Sequence, residues 1–396
     1  MEKEQARTWV AKFYPSLDGL RGLAILMVFV NHYGAFVFPS LSVEWLWIGV
    51  DLFFVLSGFL ITGILIDSRD APNYFRNFYI RRTLRIFPLY YGVFLLIAIL
   101  TPILRLHCDR VFWLNLLYLE NFTVVHPQVH NPTLVYVGPV LGNTTILGFG
   151  TIWSLCVEEQ FYLTWPLVAW LLPSRRAVMQ CCIFGIVVTF ALRLGLLLHD
   201  PVKAATTHYL HFSPYTRCDS LLVGALLATW LRSVRITRTQ LRRIAHLLVT
   251  VGLGTVALGM ATLGRRWAFN EVNPVYCSYG YTFLAFAAAG TLMLALDETS
   301  AFSRLLRHRE LSGLGKISYG FYILHAVFWN GFDHLRLLLK PYHLQFLSVL
   351  LAFGSTYCLA RLSYKYLESP FLALKDRWAP TTHAGHPTPT VIRTPS

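Results

Sequence analysis

The sequence is short of charge, and of acidic residues above all. Only 14% of its 396 residues are charged, against 55% that are hydrophobic. Two soluble domains would need a more polar surface, so the composition favours a membrane protein that spans the bilayer many times. Asp and Glu number 20 against 34 Lys and Arg. The basic residues lie in short clusters between apolar runs, which positive-inside sorting explains better than nucleic-acid binding.

Cysteine is also scarce and follows no pattern. The seven cysteines include no CxxC pair and no set with the spacing of metal ligands, which argues against a disulfide framework and a zinc site. We therefore predict no metal cofactor. We also expect no cleavable signal, because the N-terminus is polar up to Lys12 and the first apolar run is long enough to stay as a span.

Apolar stretches long enough to span recur along the chain. We predict an all-α fold, a polytopic bundle of about ten transmembrane helices with both termini in the cytoplasm, because this orientation places most Lys and Arg inside. Residues 1–16 form a cytoplasmic segment, 17–372 the membrane domain and 373–396 a cytoplasmic, disordered tail. The predicted spans are 17–37, 45–66, 86–104, 153–172, 177–198, 217–231, 244–263, 275–296, 315–333 and 345–364.

Segment 111–125 is apolar but is not assigned as a span. An eleventh span here would move Arg175, Arg176 and the Arg-rich loop at 232–243 to the outside. We therefore predict that it is re-entrant or extracytoplasmic. Residues 126–152, rich in Pro, Gly, Asn and Thr, are predicted to form the largest outer loop.

Arg21 and His32 lie eleven positions apart in the first predicted span. Eleven residues of α-helix make about three turns, so both side chains share one face, roughly 16 Å apart along the axis. Imidazole, with a reference pKa of about 6.5, takes up and returns a proton near neutral pH. Because Arg21 and Asp18 share nearly the same face, we favour a functional His32 over a histidine that only packs.

Five arginines lie between residues 69 and 85. Arg82 and Arg85 are one helical turn apart, and two guanidiniums on one face form a fork suited to phosphate oxygens. Positive-inside anchoring accounts for the same arginines. Spacing alone therefore leaves both interpretations open.

Polar residues also interrupt three later spans. Glu158 and Glu159 are about 100° apart on a helix, so they cannot share one environment; each faces a polar cavity or forms a structural ion pair. Asp219, beside Arg217, is equally explained by a helix N-terminus. His325 ends a polar stripe that lines a cavity or contacts a neighbouring helix.

Six motifs together resemble the acyltransferase-3 family, the integral membrane O-acyltransferases that modify bacterial cell-surface glycans and some antibiotics. They stand in the family's order, and the resemblance covers roughly residues 13–372. The motifs are LDGLRGLA from 17, VDLFFVLSGF from 50, RRTLRIFP from 81, WSLCVEEQFY from 153, RCDSLLVG from 217 and YGFYILH from 319.

The resemblance implies roles for individual residues. The family's basic residue, ten intervening residues and histidine match Arg21 and His32, which implies that His32 is the essential base. Its paired-arginine motif matches Arg82 and Arg85, which implies contact with acyl-CoA phosphates from the cytoplasm, with Arg21 assisting. The remaining candidates are Glu158 for catalysis and Trp153, Ser154, Arg217, Asp219 and His325 for acceptor binding.

We therefore expect a multi-pass O-acyltransferase of the bacterial inner membrane. It would move an acyl group, acetyl or another short chain, from cytoplasmic acyl-CoA to a hydroxyl of a carbohydrate or glycosylated acceptor. His32 would act as general base in a single displacement, or form an acyl-histidine intermediate. Many relatives add an extracytoplasmic domain, whereas this chain ends soon after its tenth predicted span, so we expect the membrane domain to act alone. The alternatives are a transporter or flippase and a membrane sensor or scaffold.

Overall fold

The computed structural model is helical apart from one small sheet. It describes Ala6, Thr8 and Trp9 and then residues 14–34, 44–103, 106–108, 112–123, 134–137, 145–148, 152–200, 209–263 and 274–380. The predicted helical architecture is confirmed. The predictions for residues 1–5 and for most of the tail, 381–396, fall outside the described residues.

The first half of the chain contains seven helices and three short strands within these ranges. A 3₁₀ turn at Glu44–Ile48 leads directly into the second helix. The elements are α1 Pro15–Tyr33, α2 Gly49–Asp67, α3 Tyr74–Ile103, β1 Leu106–Cys108, α4 Phe112–Asn115, α5 Glu120–Thr123, β2 Leu134–Val137, β3 Thr145–Gly148, α6 Trp153–Leu171 and α7 Arg175–His199.

The second half is helical wherever it is described, apart from its connecting turns. A π-helical turn at Tyr364–Glu368 joins its last two helices. The helices are α8 Tyr209–Phe212, α9 Pro214–Leu231, α10 Arg238–Leu263, α11 Pro274–Leu296, α12 Ala301–Leu306, α13 Arg309–Lys316, α14 Ser318–Val327, α15 Trp329–Leu339, α16 Gln345–Ser363 and α17 Ser369–Trp378.

Several helices are long and apolar enough to cross a membrane. Within the described residues there are six such stretches, so the chain is a multi-pass membrane protein, while the count of ten and the cytoplasmic termini stay predictions. Helices α1, α6 and α9 are not among these stretches and carry most of the candidate site residues. The six stretches are Leu46–Asp67, Tyr74–Ile103, Arg175–His199, Arg238–Gly259, Cys277–Leu296 and Gln345–Trp378.

Two of the predicted spans differ from the observed helices. Helix α3 begins at Tyr74 rather than at 86, because Tyr74 and Phe78, one turn apart, are buried and extend the helix beyond the apolar run. Arg82 and Arg85 therefore lie in a helix, as their predicted one-turn spacing requires. The predicted span 315–333 is broken into α13, α14 and α15, at Ile317 and Phe328, where ψ is near 0°.

Within the described residues 112–123, the segment after α3 forms only short helices. Helices α4 and α5 have four residues each, about 6 Å of helix, which is far too short for an eleventh span. Strands β2 and β3 lie in the predicted outer loop. Strand β2 pairs antiparallel with β3 and with β1, which precedes that loop, with Leu106 opposite Val137 and Leu134 opposite Gly148. These strands were not predicted, because three or four residues are too few to show the two-residue period of a strand.

Helices α2 and α9 pack in close contact at the centre of the bundle. A Cβ on Gly58 would overlap the carbonyl oxygen of Leu221, and a Cβ on Gly224 would overlap that of Val55. Small residues at both positions let the two backbones approach. Large apolar side chains on α3, α7 and α16 point outward instead, as on lipid-facing surfaces.

Candidate functional site

A cavity of about 140 Å³ lies between α1, α2, α3, α6 and α14. Its lining on α2 extends from Val50 to Ile61, roughly 16 Å of helix. The cavity thus follows the bundle axis for much of the thickness of a bilayer core. Its other lining residues are Arg21, Phe53, Phe54, Leu56, Ser57, Leu60, Arg82, Arg85, Ile86, Ser154, Leu155, Glu158, Tyr162, Ser318, Tyr319 and Tyr322.

One end of the cavity is basic. Arg21, Arg82 and Arg85 all line it, although they come from two helices far apart in sequence. Arg21 donates to Asp18 at 2.8 Å. In the part of the chain that the structure describes, Arg82 and Arg85 form no ion pair within 4.0 Å. Two half-buried guanidiniums that form no ion pair at this distance are suited to a multiply charged anion such as a phosphate.

The guanidinium of Arg82 rests on aromatic side chains. It lies 5.3 Å from the centroid of the Tyr162 ring and 5.9 Å from that of Phe78. Arg81, the preceding residue, is directed away from the cavity and donates to Asp376 and to the carbonyl of Ala379. On α3, Arg81 therefore anchors the helix, whereas Arg82 and Arg85 face the cavity.

The middle of the cavity holds a carboxylate. Glu158 accepts hydrogen bonds from Ser57 at 3.0 Å and from Tyr162 at 2.8 Å. Glu159 does not line the cavity, and its Oε1 is buried with no hydrogen bond. Within the described residues neither glutamate pairs with a Lys, Arg or His nitrogen, so the two side chains occupy different environments, as their helical spacing predicts.

The opposite end of the cavity is lined by hydroxyls. Ser154 and Tyr322 both face it, and their oxygens are 2.6 Å apart. Tyr322 precedes His325 by nearly one turn of α14, and their ring centroids are 5.4 Å apart. The hydroxyl end of the cavity therefore lies next to His325.

His32 contacts His325 directly. Its Nδ1 lies 3.0 Å from Nε2 of His325, and the rings are nearly parallel, at 20°. His32 is half-buried and is not among the residues that line the cavity, whereas His325 is fully buried. Tyr33 donates to the carbonyl of His325 at 2.9 Å. The structure thus brings the predicted base together with a residue that the sequence grouped with acceptor binding.

Arg217 and Asp219 lie outside the cavity, in a fully buried ionic cluster. Arg217 donates to Asp51 at 3.0 Å, and its guanidinium lies 3.7 Å from the centroid of the Tyr281 ring. Asp219 accepts from Arg193 at 2.7 Å. Trp153 is also buried outside the cavity, against Phe54 and His211. In this structure these side chains join α2, α7, α9 and α11.

Sequence reasoning missed Arg193. It is fully buried and also donates to the carbonyls of Ser278 and Thr216, at 3.1 and 2.5 Å. An arginine within the apolar run of α7 was the available signal, because such a residue is expensive in a membrane unless it has partners.

A family model described as an acyltransferase domain matches residues 14–364. The chain belongs to the acyltransferase-3 family. The match includes every residue that lines the cavity as well as His32 and His325. The sequence-based prediction of an acyltransferase is confirmed, and the transporter and scaffold alternatives are set aside.

Relatives of this acyltransferase-3 chain include O-acetyltransferases. The O-acetyltransferase OatA of Staphylococcus aureus (strain NCTC 8325 / PS 47) is 26% identical over 390 residues, which cover 93% of this chain and 58% of OatA. The putative peptidoglycan O-acetyltransferase YrhL of Bacillus subtilis (strain 168) is 28% identical over 374 residues, 91% of this chain and 55% of YrhL. The chain thus spans a little over half the length of these curated relatives. No solved structure matches it.

Proposed function

We propose that this acyltransferase-3 domain transfers a short acyl group, acetyl in the simplest case, from cytoplasmic acyl-CoA to a carbohydrate hydroxyl. The observation that carries the proposal is the cavity, which joins three arginines at one end to the hydroxyl end beside the His32 and His325 pair. A donor with phosphates at one end and a thioester at the other matches this order of groups.

The donor phosphates bind to Arg82 and Arg85, with Arg21 on the facing helix. Charge-assisted, bidentate hydrogen bonds make such arginines strong phosphate ligands. The pantetheine arm then extends along α2, past Phe53, Leu56 and Leu60.

His32 acts as the general base. It takes the proton of the acceptor hydroxyl while the hydroxyl oxygen attacks the thioester carbonyl, and the carbon–sulfur bond breaks. The departing CoA thiolate then receives the proton from His32. Ser154 and Tyr322 are placed to donate to the carbonyl oxygen as it gains negative charge. Glu158 positions Ser57 and Tyr162 on the cavity wall.

The acceptor approaches from the side of the membrane opposite the arginines. The name of the Bacillus relative specifies peptidoglycan, and several relatives are named O-acetyltransferases. A hydroxyl of a cell-envelope glycan is therefore our proposed acceptor, and the bacterial inner membrane our proposed location. We assign Trp153, Arg217 and Asp219 to supporting the wall on this side rather than to direct contact.

The test measures CoA released from acetyl-CoA by the purified protein, with and without peptidoglycan fragments. We expect release that depends on the acceptor, with the acetyl group recovered on the fragment by mass spectrometry. His32→Ala should lower the rate by about 10²-fold or more, the scale of general-base catalysis, while leaving acetyl-CoA binding intact. Full transfer by His32→Ala would contradict the proposed mechanism.

A further inference from the structure

The proton on His325 can be assigned from its surroundings. Its Nδ1 lies 3.1 Å from the backbone carbonyl oxygen of Phe321, one turn earlier in α14. A carbonyl oxygen only accepts hydrogen bonds, so Nδ1 must be the protonated nitrogen. An unprotonated Nδ1 at this distance would set two lone pairs against each other.

His325 is also neutral. The ring is fully buried, among Phe321, Tyr322 and Tyr33. In the described ranges no carboxylate lies within 4.0 Å of either His32 or His325. A second proton on His325 would bury an uncompensated cation, which is costly in an apolar interior. Its Nε2 therefore carries a lone pair and accepts.

The position of the proton on His32 follows from the protonation of His325. Nε2 of His325 accepts at 3.0 Å from Nδ1 of His32, so His32 carries its proton on Nδ1. The unprotonated nitrogen of His32 is then Nε2. That atom makes no hydrogen bond within the described part of the chain.

We propose that His325 is a positioning residue that fixes His32 in the tautomer with its basic lone pair on Nε2. The inference rests on the proposed function in one respect, that His32 is the base. When Nε2 takes the acceptor's proton, the Nδ1–H of His32 becomes a charge-assisted donor to His325, and this bond strengthens as the reaction proceeds. No proton needs to move to His325, which is a role comparable to that of the orienting group in a catalytic triad.

Hydrogen bonds to the backbone carbonyls of both histidines hold the His32 and His325 pair in place. The Tyr33 hydroxyl, next to His32 on α1, donates to the carbonyl of His325 at 2.9 Å. On α15, Trp329 donates from Nε1 to the carbonyl of His32 at 3.4 Å. These bonds fix α1 against α14 and α15 at the level of the two rings, so the imidazoles are oriented by backbone contacts as well as by each other.

Two substitutions separate positioning from packing. His325→Gln offers a side-chain oxygen near the place of Nε2 and keeps an acceptor for His32, whereas His325→Phe keeps a ring and removes the acceptor. We expect His325→Phe to lower kcat by about 10²-fold with little change in the KM for acetyl-CoA. We expect His325→Gln to recover most of kcat. Acetyl-CoA binding and the unfolding temperature of each variant establish that it is folded.

The tautomer itself is read by ¹⁵N NMR of histidine-labelled protein. The His32 signals, among 14 histidines, are identified by their loss in His32→Gln. We expect a protonated Nδ1 and a bare Nε2 in wild type, and loss of this preference in folded His325→Phe. A wild-type spectrum with Nε2 protonated would overturn the inference, as would unchanged kcat in His325→Phe. Activity of His32→Ala would instead refute the proposed base, and the NMR result would be unaffected by that outcome.

Discussion

The arginines at the basic end of the cavity differ in what they contact. Arg82 and Arg85 face the cavity, while Arg81 on the same helix binds Asp376. We expect Arg82→Gln and Arg85→Gln each to raise the KM for acetyl-CoA about tenfold to a hundredfold. A lost hydrogen bond between charged groups costs roughly 1.5–3 kcal/mol, and each 1.4 kcal/mol is about tenfold in affinity. Titration calorimetry with CoA checks the same effect without turnover.

Arg81→Gln is the matched control for these two variants. It removes the same charge from the same turn of α3, so a general effect of positive charge near the membrane would appear in all three. We expect its affinity for CoA to stay within about threefold of wild type, because Arg81 is directed away from the cavity. The exposed ion pair that it forms with Asp376 contributes little. Equal losses in the three variants would mean that Arg82 and Arg85 do not bind the donor specifically.

The hydroxyl end of the cavity gives a second prediction. We expect Tyr322→Phe and Ser154→Ala to lower kcat by about 10–10³-fold while changing the KM for acetyl-CoA little, because a donor to the developing oxyanion acts mainly in the transition state. Tyr357→Phe is the control, since that hydroxyl accepts from Arg361 on α16, away from the cavity. Higher KM values with unchanged kcat would assign Tyr322 to substrate binding.

Sequence reasoning found the chemical groups of the site better than their grouping. Helical spacing placed Arg82 and Arg85 on one face and separated Glu158 from Glu159, and the structure agrees. The contact between His32 and His325 joins residues 293 positions apart. It depends on how α1 and α14 are rotated against each other, which a single sequence does not specify.

For several helices, the boundaries predicted from hydropathy agree with the structure. The spans predicted at 153–172, 217–231 and 275–296 match α6, α9 and α11 within a few residues. The boundaries of α3 and of the broken helices from α13 to α15 differ from the hydropathy prediction. Buried aromatic residues extend α3 into a basic segment, and the breaks at Ile317 and Phe328 interrupt a continuous apolar pattern.

An ion pair stabilises the junction between α10 and the end of α11. Asp297 follows α11, is fully buried, and accepts from Arg242 of α10 at 2.5 Å. Burial alone would raise the pKa of Asp297, but hydrogen bonds from Thr299 and Arg242 outweigh it and hold that pKa below its usual range. Its folded-state pKa is therefore depressed, so its stabilising effect is present above its unfolded pKa, about 3.9, and is lost as pH falls through the folded value.

We expect Asp297→Asn to lower the free energy of unfolding at pH 7 by about 1–3 kcal/mol, the scale of a buried hydrogen bond to a charged group. The difference from wild type should narrow as the pH falls from 5 to 3. Thermal unfolding in detergent at several pH values checks this. Glu298→Gln, the next residue, is the control. A difference that stays constant down to pH 3 would contradict the assigned role of the charge.

The arrangement of the whole molecule depends on its orientation in the membrane. Arg21, Arg82 and Arg85 face cytoplasmic CoA only if both termini are inside, as the distribution of Lys and Arg predicts. A green fluorescent protein fused after Ser396 should therefore fluoresce, and alkaline phosphatase at the same place should be inactive. A reporter inserted in 138–144 should behave in the opposite way. The reverse pattern would place the arginines on the wrong side for the donor.

Transfer across the bilayer is the most direct test of the proposed function. Proteoliposomes are loaded with radiolabelled acetyl-CoA, and peptidoglycan fragments are supplied only outside. We expect labelled acetyl groups on the external fragments, free CoA retained inside, and labelling about 10²-fold slower or less with His32→Ala. Transfer that occurs only when donor and acceptor are on the same side would contradict a single cavity that joins the two faces of the membrane.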